Sequence, residues 1–474
     1  MRHDGHAARI RAPGHGTRGR FHKAREDERR AGGSAPHGGN EYTAATKSYP
    51  RPLFVLPFME LINIIAVLIS LAAIFSYVNY RYIGLPISIG VTLIALLFSM
   101  ALIAMDAMGF GLRAYAVAVL EKVDFSRTLL HGMLSFLLFA GALHVNINDL
   151  AERKWIIGTL ATVGVLVSTF LVGALAWLML GRLGVEIPFL YALLFGALIS
   201  PTDPIAVLGI MKTAHAPKSL EVKIAGESLF NDGVGVVIFL VILEVASGAE
   251  AVTAGHVAQL FLQEAVGGVL FGLGAGYVAF LMLRSVDNYQ VEILITLALV
   301  MGGYALATSL HLSGPIAIVV AGLLIGNQGR LLAMSSTTRH HLDIFWELVD
   351  EVLNAMLFLL IGLEILVLSF TKAYLLASLL IIPGVLLARL ISVSVPVAML
   401  RRVFTFTPGI IRIMTWGGLR GGISVALALS LPPGPMREVI LPITYAVVVF
   451  SILVQGLTIG KVVRRVVHGA SAER

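Results

Sequence analysis

Apolar residues in this chain come in long unbroken runs, not in the short periods of half-buried strands or surface helices. From Glu60 onward thirteen such runs follow one another: 60–79, 84–105, 127–145, 155–181, 187–211, 220–247, 257–283, 291–310, 313–328, 346–370, 374–400, 411–430 and 438–460. Each is near the roughly 20 residues that a helix needs to cross a bilayer. Without water in that layer the spanning backbone must bond to itself, so the runs predict helices. The stretch 106–126 breaks the pattern. It mixes Arg113, Glu121, Lys122 and Asp124 with apolar residues and predicts an amphipathic segment at the interface. Runs eight and nine divide around His311 to Pro315. The expected fold is an all-α polytopic membrane protein of about 13 transmembrane helices over residues 59–465, with a short cytoplasmic tail at 466–474.

Residues 1–58 differ. They are rich in Gly, Ala, His, Arg and Ser, and such a segment cannot bury enough apolar surface to fold. It predicts a disordered basic tail without the apolar core of a signal peptide. Met59 stands just before the first run, and the tail is expected to be an extension upstream of the native start. Loop charges agree with this, because cytoplasmic loops collect Lys and Arg. Loops after odd-numbered runs hold Arg81, Arg153, Lys154, Lys212, Lys218, Arg284, Arg330, Arg339, Arg401, Arg402 and Arg412. Loops after even-numbered runs hold Arg113, Lys122, Arg182, Lys372 and Arg437. The C-terminus is therefore expected in the cytoplasm, and the basic tail 1–51 would fall on the wrong side.

Composition narrows the class further. The chain is 57% hydrophobic and 13% charged, against about 25% charged in soluble domains. Having no Cys, it excludes a disulfide scaffold and a thiolate metal centre. The net charge of +7 is no sign of nucleic acid, since eleven of the 35 Lys and Arg residues lie in the first 51 positions.

Ionisable residues inside the runs are costly and so carry the functional signal. Run five reads Ser200-Pro201-Thr202-Asp203-Pro204. Two prolines three residues apart break a helix. Broken backbone survives at membrane depth only beside protein or a water-filled cavity. Run twelve reads Trp416-Gly417-Gly418-Leu419-Arg420-Gly421-Gly422, a second interruption seven runs later. An odd offset makes the two segments antiparallel. This predicts two inverted six-helix repeats, runs one to six against eight to thirteen, with discontinuous crossing helices at spans 5 and 12 and a binding site between them. Arg420 and Asp203 are expected to offset the partial charges of the broken helix ends; for Asp203, direct polar support of an ion is an equal alternative. Run six reads Glu227-Ser228-Leu229-Phe230-Asn231-Asp232. Ser228, Asn231 and Asp232 can share one face, an oxygen-rich site for a hard monovalent cation with Asp232 as the exchangeable charge. Glu227 points away from Asp232, and Arg389 in run eleven is the partner expected for it. Glu244, Glu264 and Glu351 are expected at helix ends or as packing residues, while Glu364 is open between packing and function.

The strings GALISPTDPIAVLGI, GESLFNDGVGVVIF and TWGGLRGGISVALAL closely resemble signature segments of the monovalent cation:proton antiporters of the sodium/proton exchanger type. The resemblance extends from Glu60 to run thirteen. It implies that Asp232 is the shared ion and proton site, with Asn231, Ser228, Thr202 and Asp203 around it. Asp232, Ser228 and Thr202 would hold the transported cation. It also implies a structural Glu227–Arg389 pair and a structural Arg420. Where many members carry an acid in span three, this chain reads Phe139-Ala-Gly-Ala-Leu-His144-Val-Asn146. The implied protein is a homodimer in a bacterial plasma membrane, in contact with lipid. It exchanges Na+ or K+ for H+, needs no cofactor and performs no enzymatic reaction. A single acid in span six, with Asn231 beside it, makes the expected exchange electroneutral and 1:1. Two rival readings use the same charges. A channel or receptor is disfavoured because a pore prefers rings of like groups. An intramembrane aspartyl hydrolase would use Asp203 and Asp232 as a dyad, which Arg420 and Asn231 do not suit.

Overall fold

The computed structural model describes residues 61–120, 125–204, 207–209, 211, 217–247, 254–368 and 370–472. The basic tail and Met59 lie outside them. The described residues form helices and their connections, with one isolated antiparallel β-bridge between Asp203 and Leu419. Among the described residues nine helices are long and apolar enough to cross a membrane: Asn63–Ile83, Ile87–Ala107, Lys154–Arg182, Lys218–Ala246, Ala258–Arg284, Tyr289–Ser309, Gly314–Leu332, Lys372–Leu400 and Pro435–Val466. These correspond to runs one, two, four, six to nine, eleven and thirteen.

The other four runs depart from a plain span, each for a local reason. Run three is the shorter helix Thr128–Leu143. Run five is helical over Phe189–Ile199, breaks across Ser200–Pro204 where two prolines remove donors, and is helical again at residues 207–209. Run twelve splits into Ile410–Trp416 and Gly422–Leu429. Run ten starts earlier than its apolar stretch, at Ser336, and its α-helix ends at Leu363 before a 3-10 turn over Glu364–Leu366. The first turns carry Arg339, His340, His341, Asp343 and Glu347 and look like loop by hydropathy. Ser335 nevertheless caps them, its side chain accepting from Thr338 N.

The stretch after run two holds a helix, Leu112–Leu120. Arg113 in it donates to Leu366 O from Nε at 3.2 Å and Nη2 at 3.1 Å, which ties this segment to the end of span ten. Runs eight and nine part at a tight turn where His311 takes φ 55°. Ser313 then caps the next helix, with Pro315 in its first turn, where no amide is needed.

Packing in a bilayer favours small residues, since lipid is as apolar as Leu. Span seven shows this against span nine. A Cβ on Gly268 would lie 2.9 Å from Ser313 O, one on Gly272 would strike Ala317 O, and one on Gly276 would lie 3.1 Å from Ala321 Cα. The same closeness joins Gly173 and Gly196 of spans four and five, where a Cβ on Gly196 would strike Thr169 O. Both half-helices thus sit in a dense interior; Leu194, Leu198, Val425 and Ala426 are fully buried.

This packing is directly testable. Gly272→Ala should lower detergent melting stability by about 1–3 kcal/mol through overpacking. Gly274→Ala, whose Cβ meets open space, should not. Equal melting temperatures for the two variants would remove the close span seven–span nine contact from the account.

Candidate ion-binding site

The two breaks meet. Asp203 N donates to Leu419 O at 2.8 Å, so the extended backbone of span five pairs with that of span twelve. This antiparallel meeting is the one that inverted repeats require. Helix Phe189–Ile199 ends there with unpaired carbonyls. Arg420 Nη1 donates to Ser200 O at 2.6 Å and to Pro201 O at 3.0 Å. Helix Ile410–Trp416 ends facing a second arginine, as Arg389 Nε donates to Met414 O at 3.3 Å. Each half-helix therefore delivers its negative end to a guanidinium. At the opposite pole, a Cβ on Gly421 would lie 2.7 Å from Asp203 Oδ2. Gly421 is the residue before helix Gly422–Leu429, so the Asp203 carboxylate lies against that helix's positive N-terminus.

The rest of the span-twelve break is held from span thirteen. Arg420 N donates to Ser451 Oγ at 2.9 Å, Ser451 Oγ donates to Gln455 Oε1 at 2.7 Å, and Gln455 Nε2 donates to Trp416 O at 3.0 Å. Ser451–Gln455 is a wide π-turn inside the long helix, a feature that often marks functional regions. One faint signal of it stands in the sequence, a Ser and a Gln four residues apart in an apolar run.

Against the crossing lies span six. Arg389 grips Glu227 with two parallel bonds, Nη1 to Oε1 at 2.7 Å and Nη2 to Oε2 at 2.9 Å, both residues being buried. A fork-to-fork pair is the strongest protein ion pair. Glu227 also joins the cluster, four residues before Asn231 on the same helix. Its Oε1 also accepts from Asn231 Nδ2 at 3.2 Å. Asn231 bridges onward, donating to Thr202 Oγ1 at 2.8 Å while its Oδ1 accepts from Thr202 N at 3.3 Å. Thr202 Oγ1 and Ser228 Oγ lie 3.1 Å apart. Thr202, Ser228, Asn231 and Glu227 thus form one continuous polar network. Asp232, one residue on, is 8% exposed. None of these bonds uses its carboxylate, and its acidic neighbours are Asp203 and Glu227.

The remaining sequence candidates separate. Glu244 and Glu351 are exposed and Glu264 is partly buried. Glu364 is 6% exposed at the end of the span-ten helix, with Arg437 as the opposite charge acting on it. Sequence reasoning missed Asp350 and Asn354 on span ten. It also missed Lys223, a 4% exposed lysine of span six whose ammonium lies 5.4 Å from the Phe406 ring centre. Lys223 lies near a helix end, where such a charge reads as interfacial.

A helical membrane bundle with two crossed, broken helices and compensating charges on their ends is the architecture of a secondary carrier. The model of the transmembrane sodium/hydrogen exchangers matches residues 67–465, and the chain belongs to this family. It is 52% identical over 419 residues to the Na(+)/H(+) antiporter NhaP of Pseudomonas aeruginosa, covering 87% of this chain and 99% of that one. It is 34% identical over 398 residues to the Na(+)/H(+) antiporter NhaH of Halobacillus dabanensis, covering 80% and 96%. Its fold matches the sodium proton antiporter MjNhaP1 of Methanocaldococcus jannaschii at a TM-score of 0.69 and 18% identity, over 86% of this chain and 99% of that one.

The buried pair makes a quantitative prediction. Glu227→Ala and Arg389→Ala should each destabilise by about 3–5 kcal/mol, because each strands a buried charge. The double change Glu227→Gln with Arg389→Gln should lose clearly less than the sum. Additive losses in detergent melting would show the two groups to be energetically independent.

Proposed function

We propose that the chain is a multi-pass bacterial plasma-membrane antiporter that exchanges Na+ for H+ by alternating access, with Asp232 as the shared site. The observation that carries this reading is the placement of Asp232 beside the crossed breaks, next to a network of hydroxyl and amide oxygens. Thr202 Oγ1, Ser228 Oγ and the Asp232 carboxylate are the oxygens offered to the cation, and Asn231 orients Thr202. Na+ is preferred over K+ because both curated relatives described above are named for Na+. The same reading includes thirteen crossings in two inverted repeats, a cytoplasmic C-terminus supported by the loop charges, and the homodimer of the resembling antiporters.

Charge commitments argue for one-for-one exchange. Glu227 is bound by Arg389 and Asp203 lies against a helix N-terminus, so each acid already has a fixed electrostatic partner. Asp232 alone then alternates between one cation and one proton. The loaded site has the same net charge on both legs, and turnover moves none across the membrane. A pore reading has no comparable support, since the polar groups belong to single residues and form no ring.

The test is exchange in proteoliposomes driven by ΔpH. Asp232→Asn should abolish Na+-dependent proton movement while leaving the melting curve intact; activity above one tenth of wild type would overturn the site. Acidification should inhibit by placing a proton on Asp232, and more Na+ should relieve it. An inhibition that Na+ cannot shift would mean separate sites. Clamping the potential at zero and then at about −100 mV should leave the rate unchanged, whereas one moved charge would couple by about 2.3 kcal/mol per 100 mV. A several-fold change would show a second proton in the cycle.

A further inference from the structure

Span ten carries acids that the site above does not use. On its helix Ser336–Leu363, Glu347, Asp350 and Asn354 follow one another at steps of three and four residues, which keeps them on one face. A polar stripe of this kind is usually solvated surface. Here burial deepens along it: Glu347 is exposed, Asp350 is partly buried and Asn354 is 5% exposed. The stripe therefore descends from the helix start toward the interior.

Its inner end is built around oxygens. The Asn354 side chain bonds Asp350, while Asn354 Oδ1 has no partner among the described residues. A buried acceptor left without a donor is destabilising unless something electropositive meets it. Asp203 acts electrostatically on Asp350 from the break of span five, as it does on Asp232. The charged groups that bear on Asp350 are Asp203, Glu351 and Glu347, all acidic. By contrast, Asp343 on the same helix pairs with Arg330. Asp350 and Asn354 thus present carboxylate and amide oxygens in a negative field shared with the crossing. Two carboxylates and one amide fall short of the six to eight oxygens that Ca2+ takes, and no group of three or more metal-binding side chains occurs among the described residues.

We infer that Asp350 and Asn354, within electrostatic reach of Asp203, form an outer station where a partly hydrated monovalent cation pauses on its way to Asp232. The inference rests on the exchange reading and adds a cation-binding residue to it. The station lies toward the start of the span-ten helix, on the side that the loop charges assign to the cytoplasm. Its effect is to raise the local cation concentration beside Asp232 and so to set apparent affinity rather than maximal rate.

The chain has no cysteine, so a single introduced thiol can be labelled uniquely. Asp350→Cys should raise the Na+ concentration for half-maximal exchange in proteoliposomes by about tenfold, as expected for one lost charge in a low-dielectric site. The maximal rate should change far less. An anionic sulfonatoethyl thiosulfonate label should return most of the affinity, and a cationic trimethylammonium label should lower it further. Asp350→Glu should stay near wild type, and Asn354→Leu should move in the direction of Asp350→Cys. An unchanged half-saturation, equal effects of the two labels, or a loss confined to maximal rate would overturn the station. A transport-independent arm separates this from failure of the exchange reading. Equilibrium binding of 22Na+ to Asp232→Asn protein in detergent should persist weakly and vanish on adding Asp350→Asn. Such binding without any exchange by the wild type would leave the station standing and overturn the exchanger. Its absence in Asp232→Asn protein would overturn the station.

Discussion

The structure turns on one constraint: two interrupted helices expose peptide groups where no water can satisfy them. An orphaned buried donor or acceptor costs about 1–3 kcal/mol, and two breaks create several. The solution is reciprocal. Asp203 N and Leu419 O satisfy each other. Arg420 takes two carbonyls of span five, Arg389 takes a carbonyl of span twelve, Asn231 takes Thr202 N, and the Ser451–Gln455 turn takes Arg420 N and Trp416 O. Each break is held by side chains from another element, so the crossing forms only when spans five, six, eleven, twelve and thirteen are all in place. Thr202 and Asp203 are positioned by that same event.

The glycines of span twelve take their meaning from this arrangement. They suggested a weakened helix, yet Gly421 has an ordinary extended φ of −114°. Their role is space. A Cβ on Gly418 would lie 3.1 Å from Arg389 Cζ, and one on Gly421 would lie 2.8 Å from Asp203 Cβ. Two charged groups reach the crossing because two side chains are missing. Gly235 of span six does the same for the Pro201 ring. The string GGLRGG therefore encodes a charge site on a neighbouring pair of helices as much as a property of its own.

Much of this was legible in the sequence because a bilayer leaves few options. Unbroken apolar runs have to be helices, and charges inside them have to be matched. Hence Glu227, Asp232, Arg389, Arg420 and the Pro201–Pro204 break stood out before any contact was known. Hydropathy failed where a helix is amphipathic. The start of span ten at Ser336 was hidden by its charged first turns, and Asp350 was hidden with them. The bond of Asn231 to Glu227 follows the spacing of four residues that puts both on one helix face; its onward bridge to Thr202 of span five needed the tertiary fold. The cap supplied by Ser451 and Gln455 needed the tertiary fold, since nothing local distinguishes it from two packing residues.

The network also bears on why a carrier, and not a static ion pocket, is the natural reading. Thr202, Ser228 and Asn231 hydrogen-bond to one another, so their polar groups have partners within the protein. In the proposed cycle a cation taking Thr202 and Ser228 would compete with those bonds and shed water, and Asp232 would supply the charge that offsets this. A proton asks less, for it needs only the carboxylate. The two substrates of the proposed cycle are then balanced by the same group through different means, one by dehydration into a preformed oxygen set, the other by a covalent bond to oxygen. Neither state leaves a bare carboxylate beside the acids of Asp203 and Glu227. The empty, ionised site is the one that low dielectric would penalise most, and in the proposed cycle that penalty would couple the movement of the site to its being loaded.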